Sequence, residues 1–523
     1  MSPALPAVAT PTGFLRLIII ITTISAAVME LLDVTIVNVA LTQVAGAIGA
    51  TIEDVAWVIT SYAIANVIII PLTGFLAEYF GRKTYYLTSI ILFTIASYGC
   101  ASSTHLVELV GWRFVQGLAG GALLSVSQAI LFDAFPPKQR GVAAGIFGMG
   151  IIVGPTLGPW LGGLIVDNYH WSYIFYVNVP VGIAAALLTF FFIAQKPGEG
   201  QRKSQLVIDY LGIGLLAVGV GALQYVLEKG QTDDWFEDAA IRWCTILAVV
   251  GLGGFVWRQL TAAHPVVNLR LLGRGTLGVT TLFSFVAGLG LYTSVFVYPV
   301  LVQRVNGFSP TITGESLLWP TLTCLPLFPL IGRRLSAGDS PLYYIVAGFA
   351  IFSVFGFYSG TFNGQAGPWD FYPAQVLRVV GVSLLQLPLI NQALAGLTPQ
   401  DFPAAIALNN MIRQLGGAFG IALANTYVAR AYAQHRADLV AHLDPGNPLL
   451  TDRLRHLGNS VQQGYQMLDR MVDKQAYLLA YLDTFRLVGL FFALALPLTY
   501  LLRTRKKTAA EVALAAKALA EAH

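Results

Sequence analysis

Long apolar runs dominate this sequence, and short polar clusters interrupt them. A helix needs about 20 apolar residues to cross the hydrocarbon core of a bilayer. Runs of that kind fall at roughly 14–41, 55–77, 84–103, 106–134, 141–166, 173–195, 208–228, 239–260, 276–302, 310–332, 341–360, 371–395, 402–430 and 477–502. The pattern predicts an all-α membrane protein of about fourteen transmembrane spans. Spans 7 and 8 read as an insert, since removing them leaves six spans on each side. The expected organisation is therefore an N-terminal six-helix bundle over 1–196, two inserted transmembrane helices over 197–270, and a C-terminal six-helix bundle over 271–523. The stretch Gly74 to Lys83 between spans 2 and 3 is echoed weakly by Gly332-Arg333-Arg334-Leu335 between spans 10 and 11. Internal repeats with a site at their interface are a transporter pattern.

The polar residues inside the apolar runs carry the chemistry. Span 1 holds two acids, Glu30 and Asp33. A charged side chain at the bilayer centre costs about 3 kcal/mol on the insertion scale. Three residues apart on a helix, the two acids share a face, and that face must meet protein or water. Desolvation disfavours the charged form of a carboxyl, so an acid in such a place can take up and release a proton as its surroundings change. A static partnership with a basic residue is the competing reading. Arg113 in span 4 is equally expensive unless a carboxylate or carbonyl oxygens receive it. In the second half, Arg378 lies in span 12, and Asn409, Asn410, Arg413 and Gln414 lie in span 13. Asn409 and Arg413 are one turn apart, and could line a cavity or tie helices together. Asp483 and Arg486, at i and i+3 in span 14, are expected to pair with each other.

Span 5 places glycine at every fourth position, at Gly150, Gly154, Gly158 and Gly162, which lays a flat strip for close packing. Pro155 and Pro159 remove backbone donors and are expected to bend this helix. Gly74 and Gly81 allow a tight turn at the end of span 2. Glu78, Arg82 and Lys83 beside them could form a charge-assisted latch across one face of the membrane, or could serve only as topology signals.

Composition and charge sharpen this picture. Of 523 residues, 56% are hydrophobic and 11% are charged, against about 25% charged in soluble domains. With both termini cytoplasmic, Arg82, Lys83, Lys138, Arg140, Lys196, Arg202, Lys203, Arg258, Arg270, Arg274, Arg333 and Arg334 all fall on inner segments, and Arg503 to Lys507 join them in the tail. The outer segments lean acidic, so the positive-inside rule favours this orientation. Cys100, Cys244 and Cys324 lie apart without metal-ligand spacing and read as core residues. The seven histidines fall in predicted loops or the tail, which leaves no intramembrane metal site or histidine relay. Met1 to Gly13 carries no basic residue ahead of a long apolar run, so no cleavable signal is expected. Trp112, Tyr169, Trp171, Tyr173 and Trp235 fall near span ends, where interface anchoring is the default.

Five motifs in order resemble one family. Leu32-Asp33-Val34-Thr35-Ile36-Val37-Asn38-Val39-Ala40-Leu41 resembles its first-span signature, and Gly74 to Lys83 its loop motif, with Glu78 where that motif usually has Asp. Arg113-Phe114-Val115-Gln116-Gly117, Gly150 to Gly163, and Trp171 to Pro180 resemble its motifs in span 4, in span 5 and leading into span 6. Together they are similar to the major facilitator superfamily, in the fourteen-span drug:proton antiporters of the EmrB/QacA type. The resemblance implies two six-helix bundles rocking about a midplane cavity, and an exporter of hydrophobic or amphipathic compounds driven by the proton gradient, without cofactor or catalysis. It implies proton coupling at Asp33 with Glu30 as helper and Arg113 tuning them, and the antiporter motif at Gly150, Gly154, Pro155, Gly158 and Pro159. The remaining polar residues, Asn38, Gln116, Arg378, Asn409 and Arg413, are expected to line the substrate cavity.

A proton-coupled importer of a small organic solute is the rival within transport, disfavoured by the span 5 motif. A membrane-embedded enzyme would need clustered reactive side chains that the scattered histidines do not supply, and a sensor would not need two buried acids. Between spans 13 and 14 an extended loop over 432–476 is expected, with a helix starting at Asn447-Pro448 and an apolar stripe through Leu450, Leu454, Leu457, Val461, Tyr465, Leu468, Met471 and Val472. Membrane-surface contact or packing on its own bundle would cover such a stripe. The resemblance implies instead a periplasmic membrane-fusion adaptor, an outer-membrane channel beyond it, and a bacterial inner-membrane location. Nothing in the sequence suggests nucleic-acid binding. The tail from Arg503 to His523 reads as a cytoplasmic helix.

Overall fold

The computed structural model describes residues 13–50, 52–55, 57–136, 139–195, 209–263, 265, 267–398, 401–443, 450, 452, 454 and 461–502, and every regular element among them is helical. Eleven helices are long and apolar enough to cross a membrane, twelve if a bent pair is counted as one span. That pair is span 2, Trp57–Ile69 and Thr73–Phe80, bent by 62° where Pro71 removes a backbone donor. Span 10 is also broken, into Pro310–Cys324 and Leu327–Ser336, with Pro326 at the break. Span 13, Phe402–Ala441, carries Asn409, Asn410, Arg413 and Gln414 in its first third. Both elements are helical without meeting the apolar-length measure of a simple span.

Span 5, Arg140–Asn168, holds its two bundles together. Pro155 and Pro159 lie inside one unbroken helix. Its glycines form two rows with different partners. The motif row packs on span 1, Gly13–Ile48: a Cβ at Gly150 would meet Ile24, at Gly154 Leu31, at Gly158 Thr35 and at Gly162 Ile36. The other row packs on span 10. Gly141 approaches the Gly332 carbonyl, Gly145 the Phe328 carbonyl and Gly163 the backbone of Pro310 and Thr311. Thr156 and Thr321 are 3.3 Å apart between them, and Thr311 donates to Asp167 at 2.8 Å at one end. Span 5 is thus wedged between the acid-bearing helix and the opposite bundle. The row at 150, 154, 158 and 162 is the seam to span 1 and not the inter-bundle contact.

At Gly158 the fit is tightest, since an added Cβ would stand 2.0 Å from Thr35 Oγ1. We expect G158A to cost about 2 kcal/mol, in the range of overpacked cores, and T35A to recover part of that loss in the double variant. Thermal melts of the four proteins in one detergent check this; additive losses would show that the two side chains do not compete for the same space.

The inserted hairpin, Tyr210–Lys229 and Ala239–Thr261, packs mainly on itself and on span 2. Gly219 and Gly251 face each other, each leaving no room for a Cβ. Asp209 closes the hairpin at one end: it accepts from the Gly212 amide at 3.0 Å, from Arg258 at 3.1 Å and from Gln259 at 3.3 Å. The outer helix shows Trp243, Ile246, Val249, Val250 and Trp257 on its exposed side, which suits a lipid-facing position.

The segment expected as a loop between spans 13 and 14 is largely a continuation of the two helices. Span 13 runs 40 residues, to Ala441, and the last helix runs 38, Val461–Leu498. Beyond the apolar runs that end near 430 and begin near 477, the two helices continue over 432–441 and 461–476, roughly 15 Å and 24 Å of helix. Ion pairs lock the projection: Arg436 binds Asp469 at 2.6 Å and Asp473 at 2.8 Å, and Tyr432 donates to Asp473 at 2.8 Å. Tyr432 stacks on Tyr477 at 3.9 Å, and Arg304 covers the Tyr477 ring at 3.6 Å. Asp483 and Arg486 pair at 2.8 Å as their spacing predicts, and His435, expected in a loop, is helical and also reaches Asp483. The expected helix start at Asn447-Pro448 lies outside the described residues, as do Leu457 and the tail from Arg503.

Candidate functional site

Span 4, Leu106–Asp133, crosses span 2 at Gly117, where a Cβ would meet the Tyr62 carbonyl at 2.4 Å. That close approach lays the Arg113 guanidinium on the Tyr62 ring, 4.3 Å from its centroid, with the Phe175 ring at 5.6 Å. Arg113 Nε donates to the Val58 carbonyl at 3.0 Å, and Nη1 donates to Asp33 Oδ2 at 2.5 Å. Asp33 Oδ1 accepts from Gln116 at 2.9 Å and from Asn178 at 2.8 Å. Gln116 in turn donates to Ser97 at 2.8 Å and accepts from Arg113 at 2.8 Å. All four side chains are essentially inaccessible. A buried ion pair survives desolvation only where such extra hydrogen bonds complete it. Asp33 thereby ties spans 1, 2, 4 and 6 into one node. Every one of its partners donates. A proton on Asp33 would put an O–H against donors, so the node must rearrange to accept it.

Glu30, one turn away, has different surroundings. Its Oε1 accepts from Asn66 at 3.2 Å, while Oε2 is buried with no hydrogen-bond partner among the described residues. Arg413 of span 13 acts on it electrostatically from the opposite bundle, and both groups act on Tyr292 of span 9. Arg413 is itself incompletely satisfied: Nη2 lies 3.4 Å from Asn410, and Nη1 is buried without a partner among the described residues. The Oδ1 of Asn409 is in the same condition. Buried polar atoms of this kind cost free energy, and Asn409 and Arg413 border one cavity. Asn409 and Arg413 line a narrow cavity with Gln386, Phe352, Leu385 and Leu291. Its free volume of about 20 Å³ is room for about one water.

The expected cavity residues divide accordingly. Asn409 and Arg413 line this cavity. Gln116 instead belongs to the Asp33 node, and Asn178, within the motif leading into span 6, joins it there. Asn38 is exposed on span 1. Arg378 is buried apart from Arg413, donating to Gln375 at 2.7 Å. The expected latch also takes another form. Gly81 has φ of 85°, a conformation that favours glycine, and so turns span 2 into span 3. Arg82 pairs with Asp133 at the end of span 4, and Lys83 donates to the Phe190 carbonyl at 2.8 Å. Glu78 is exposed, with no ion pair among the described residues. Gly74 lies at another inter-bundle contact, where an added Cβ would stand 3.7 Å from Ala404 Cα of span 13. Sequence reasoning missed Asp133, because an acid at the end of a span has the look of an ordinary loop residue.

Residues 23–421 match the model of the Major Facilitator Superfamily. The chain is 33% identical over 476 residues to the multidrug export protein EmrB of Escherichia coli K12, covering 90% of this chain and 92% of that one. It is 32% identical over 484 residues to the fatty acid resistance protein FarB of Neisseria gonorrhoeae, covering 91% and 94%. In fold it is similar to a solved proton:xylose symporter, XylE, with a TM-score of 0.56 at 16% identity over 92% of this chain and 96% of that one. The family match runs from span 1 into span 13, through the acid node, the two-faced span 5 and the cavity beside Asn409 and Arg413 within the C-terminal bundle, and the chain belongs to the major facilitator superfamily of membrane transporters, in the group of the EmrB multidrug export proteins.

Proposed function

We propose that this protein is a proton-driven antiporter that exports hydrophobic or amphipathic compounds from a bacterial cytoplasm across the inner membrane, both of its termini being cytoplasmic. The observation that carries the reading is the pair of acids on span 1 in two unlike environments. Asp33 is a closed node within the N-terminal bundle, and Glu30 carries an unpartnered oxygen at the boundary with the C-terminal bundle, facing Arg413. Protonation at Asp33 forces the node to rearrange. Span 1 is packed along its glycine seam against span 5, whose other row rides on span 10, so a shift of span 1 is passed to the inter-bundle contact. Glu30 does not line the cavity beside Asn409 and Arg413, but it feels the charge of Arg413, so a drug bound at Arg413 and a proton on Glu30 would compete for the same charge. A ligand drives such a change only through its differential affinity for the two states. The similarity to EmrB and FarB supports a drug or amphiphile as cargo.

The helical projection between spans 13 and 14 would lie in the periplasm and dock a membrane-fusion adaptor, which hands substrate to an outer-membrane channel. Tyr465, Met467 and Met471 on its exposed surface support a protein contact. The test of coupling is transport in proteoliposomes with an imposed pH gradient. Drug should move uphill only against an opposing proton gradient, and each turnover should carry protons the other way. Uphill drug movement in the same direction as the protons would make the protein an importer by symport. Cysteine placed at position 83 should resist membrane-impermeant labelling in intact cells, and labelling there would overturn the orientation.

A further inference from the structure

Glu315 is an acid on span 10 that the coupling reading does not use. It follows Pro310 by five residues, roughly 7.5 Å along the helix, at the end of the bundle that carries the helical projection. That placement follows from Arg304, just before this helix, covering Tyr477, and from Asn306 donating to the Ala366 carbonyl at 3.0 Å. The helix dipole stabilises acids chiefly within the first turn, and Glu315 lies beyond it. Glu315 is exposed and has no ion pair or hydrogen bond among the described residues. It opens instead onto a groove of about 170 Å³ shared with Ile312, Trp319, Pro368, Trp369 and Tyr372. Trp319 is one turn further along the same face. Trp369 and Tyr372 come from the start of span 12, their rings 6.0 Å apart, and the Tyr372 hydroxyl is tied to Thr323 at 2.8 Å. Interface anchoring accounts for exposed tryptophans at the end of a span, but not for a carboxylate set among three aromatic rings, two of them exposed.

We propose that this groove binds a lipophilic monovalent cation from the outer leaflet, an alkylammonium whose headgroup sits between Glu315 and the rings of Trp319, Trp369 and Tyr372 while its tail lies along Ile312 in the membrane. Carboxylate and ring faces both attract a cation with a poorly hydrated, alkylated head. The lining holds no Lys or Arg, so the phosphate of a zwitterionic lipid finds no partner there. The role of the groove, a first site for cationic amphiphiles ahead of the central cavity, rests on the export reading; the binding itself does not.

The full-length protein in phosphatidylglycerol nanodiscs, whose lipid has no ammonium head, would be titrated with a decyltrimethylammonium brominated close to its head, read by quenching of tryptophan fluorescence. The component of quenching that W319F/W369F removes reports the groove. E315Q should raise the midpoint of that component about fivefold, and brominated decanol, which has no charge, should show no difference between wild type and E315Q. An unchanged midpoint in E315Q, or an equal loss for the alcohol, overturns the proposal. So does phosphatidylethanolamine in the nanodisc that abolishes the component in wild type, since the groove is then a lipid site. A protein that shows the Glu315-dependent component but moves no drug against a proton gradient keeps the site and loses the export reading.

Discussion

Asn in place of Asp33 is expected to abolish uphill drug efflux, with a loss of at least about a hundredfold in proteoliposomes under a pH gradient. Asn cannot carry the proton, and its amide offers a donor to a node built entirely of donors. The same change leaves Arg113 buried without its counter-charge. Breaking one side of a buried pair costs about 3–5 kcal/mol, so a lowered melting temperature should accompany the loss. D33N/R113Q separates the two effects: it should regain much of the melting temperature and none of the coupled transport. Export at the wild-type rate in D33N would remove Asp33 from the coupling site. E30Q is expected to be milder, about tenfold slower with a melt close to wild type, because Glu30 has one hydrogen bond to lose and one oxygen already unpartnered. Equal losses in E30Q and D33N would mean that the acids titrate as one pair.

The energetics of a charge in a bilayer explain why this site was partly legible. Glu30, Asp33, Arg113 and Arg413 are so costly in lipid that the sequence alone marks them as facing protein, and the glycine period of span 5 marks a close seam. Neither signal names a partner. Gln116 and Asn178 sat within recognised motifs, yet uncharged amides on a span fit a cavity wall, a helix contact or an acid's shell equally well, and only their distances to Asp33 assign them. The seam likewise had two candidate faces, span 1 or the far bundle, and periodicity is blind to that choice. In the projection, the helical stripe from Val461 to Val472 is legible, but its continuity with span 14, and the extension of span 13 to Ala441, is not. Hydropathy measures fitness for lipid, not helicity, so the helices were ended where polar residues begin, although Arg436, Asp469 and Asp473 are themselves the contacts that hold two helices together in water. Glu315 escaped because a single acid near the start of a span costs little by position. Its meaning lies in the three rings that the fold gathers around it.

Shortening the projection should divide cellular resistance from transport. If residues 438–470 are replaced by six Gly and Ser residues, the two helix ends still lie side by side and a short linker can join them. Arg436 keeps Asp473, the Tyr432–Tyr477 stack and the His435–Asp483 contact lie below the cut, and the membrane bundle is untouched. The exposed Tyr465 and Met467 are removed, as is the pairing of Arg436 with Asp469. An adaptor that grips this surface then loses its hold, and cells should become as sensitive as a strain without the transporter. The same purified variant in proteoliposomes, where no adaptor is present, should export within about twofold of wild type. The argument depends on the contrast. Resistance retained in cells would mean that the projection docks nothing needed for efflux, and transport lost equally in proteoliposomes would mean that it braces spans 13 and 14 during the conformational cycle.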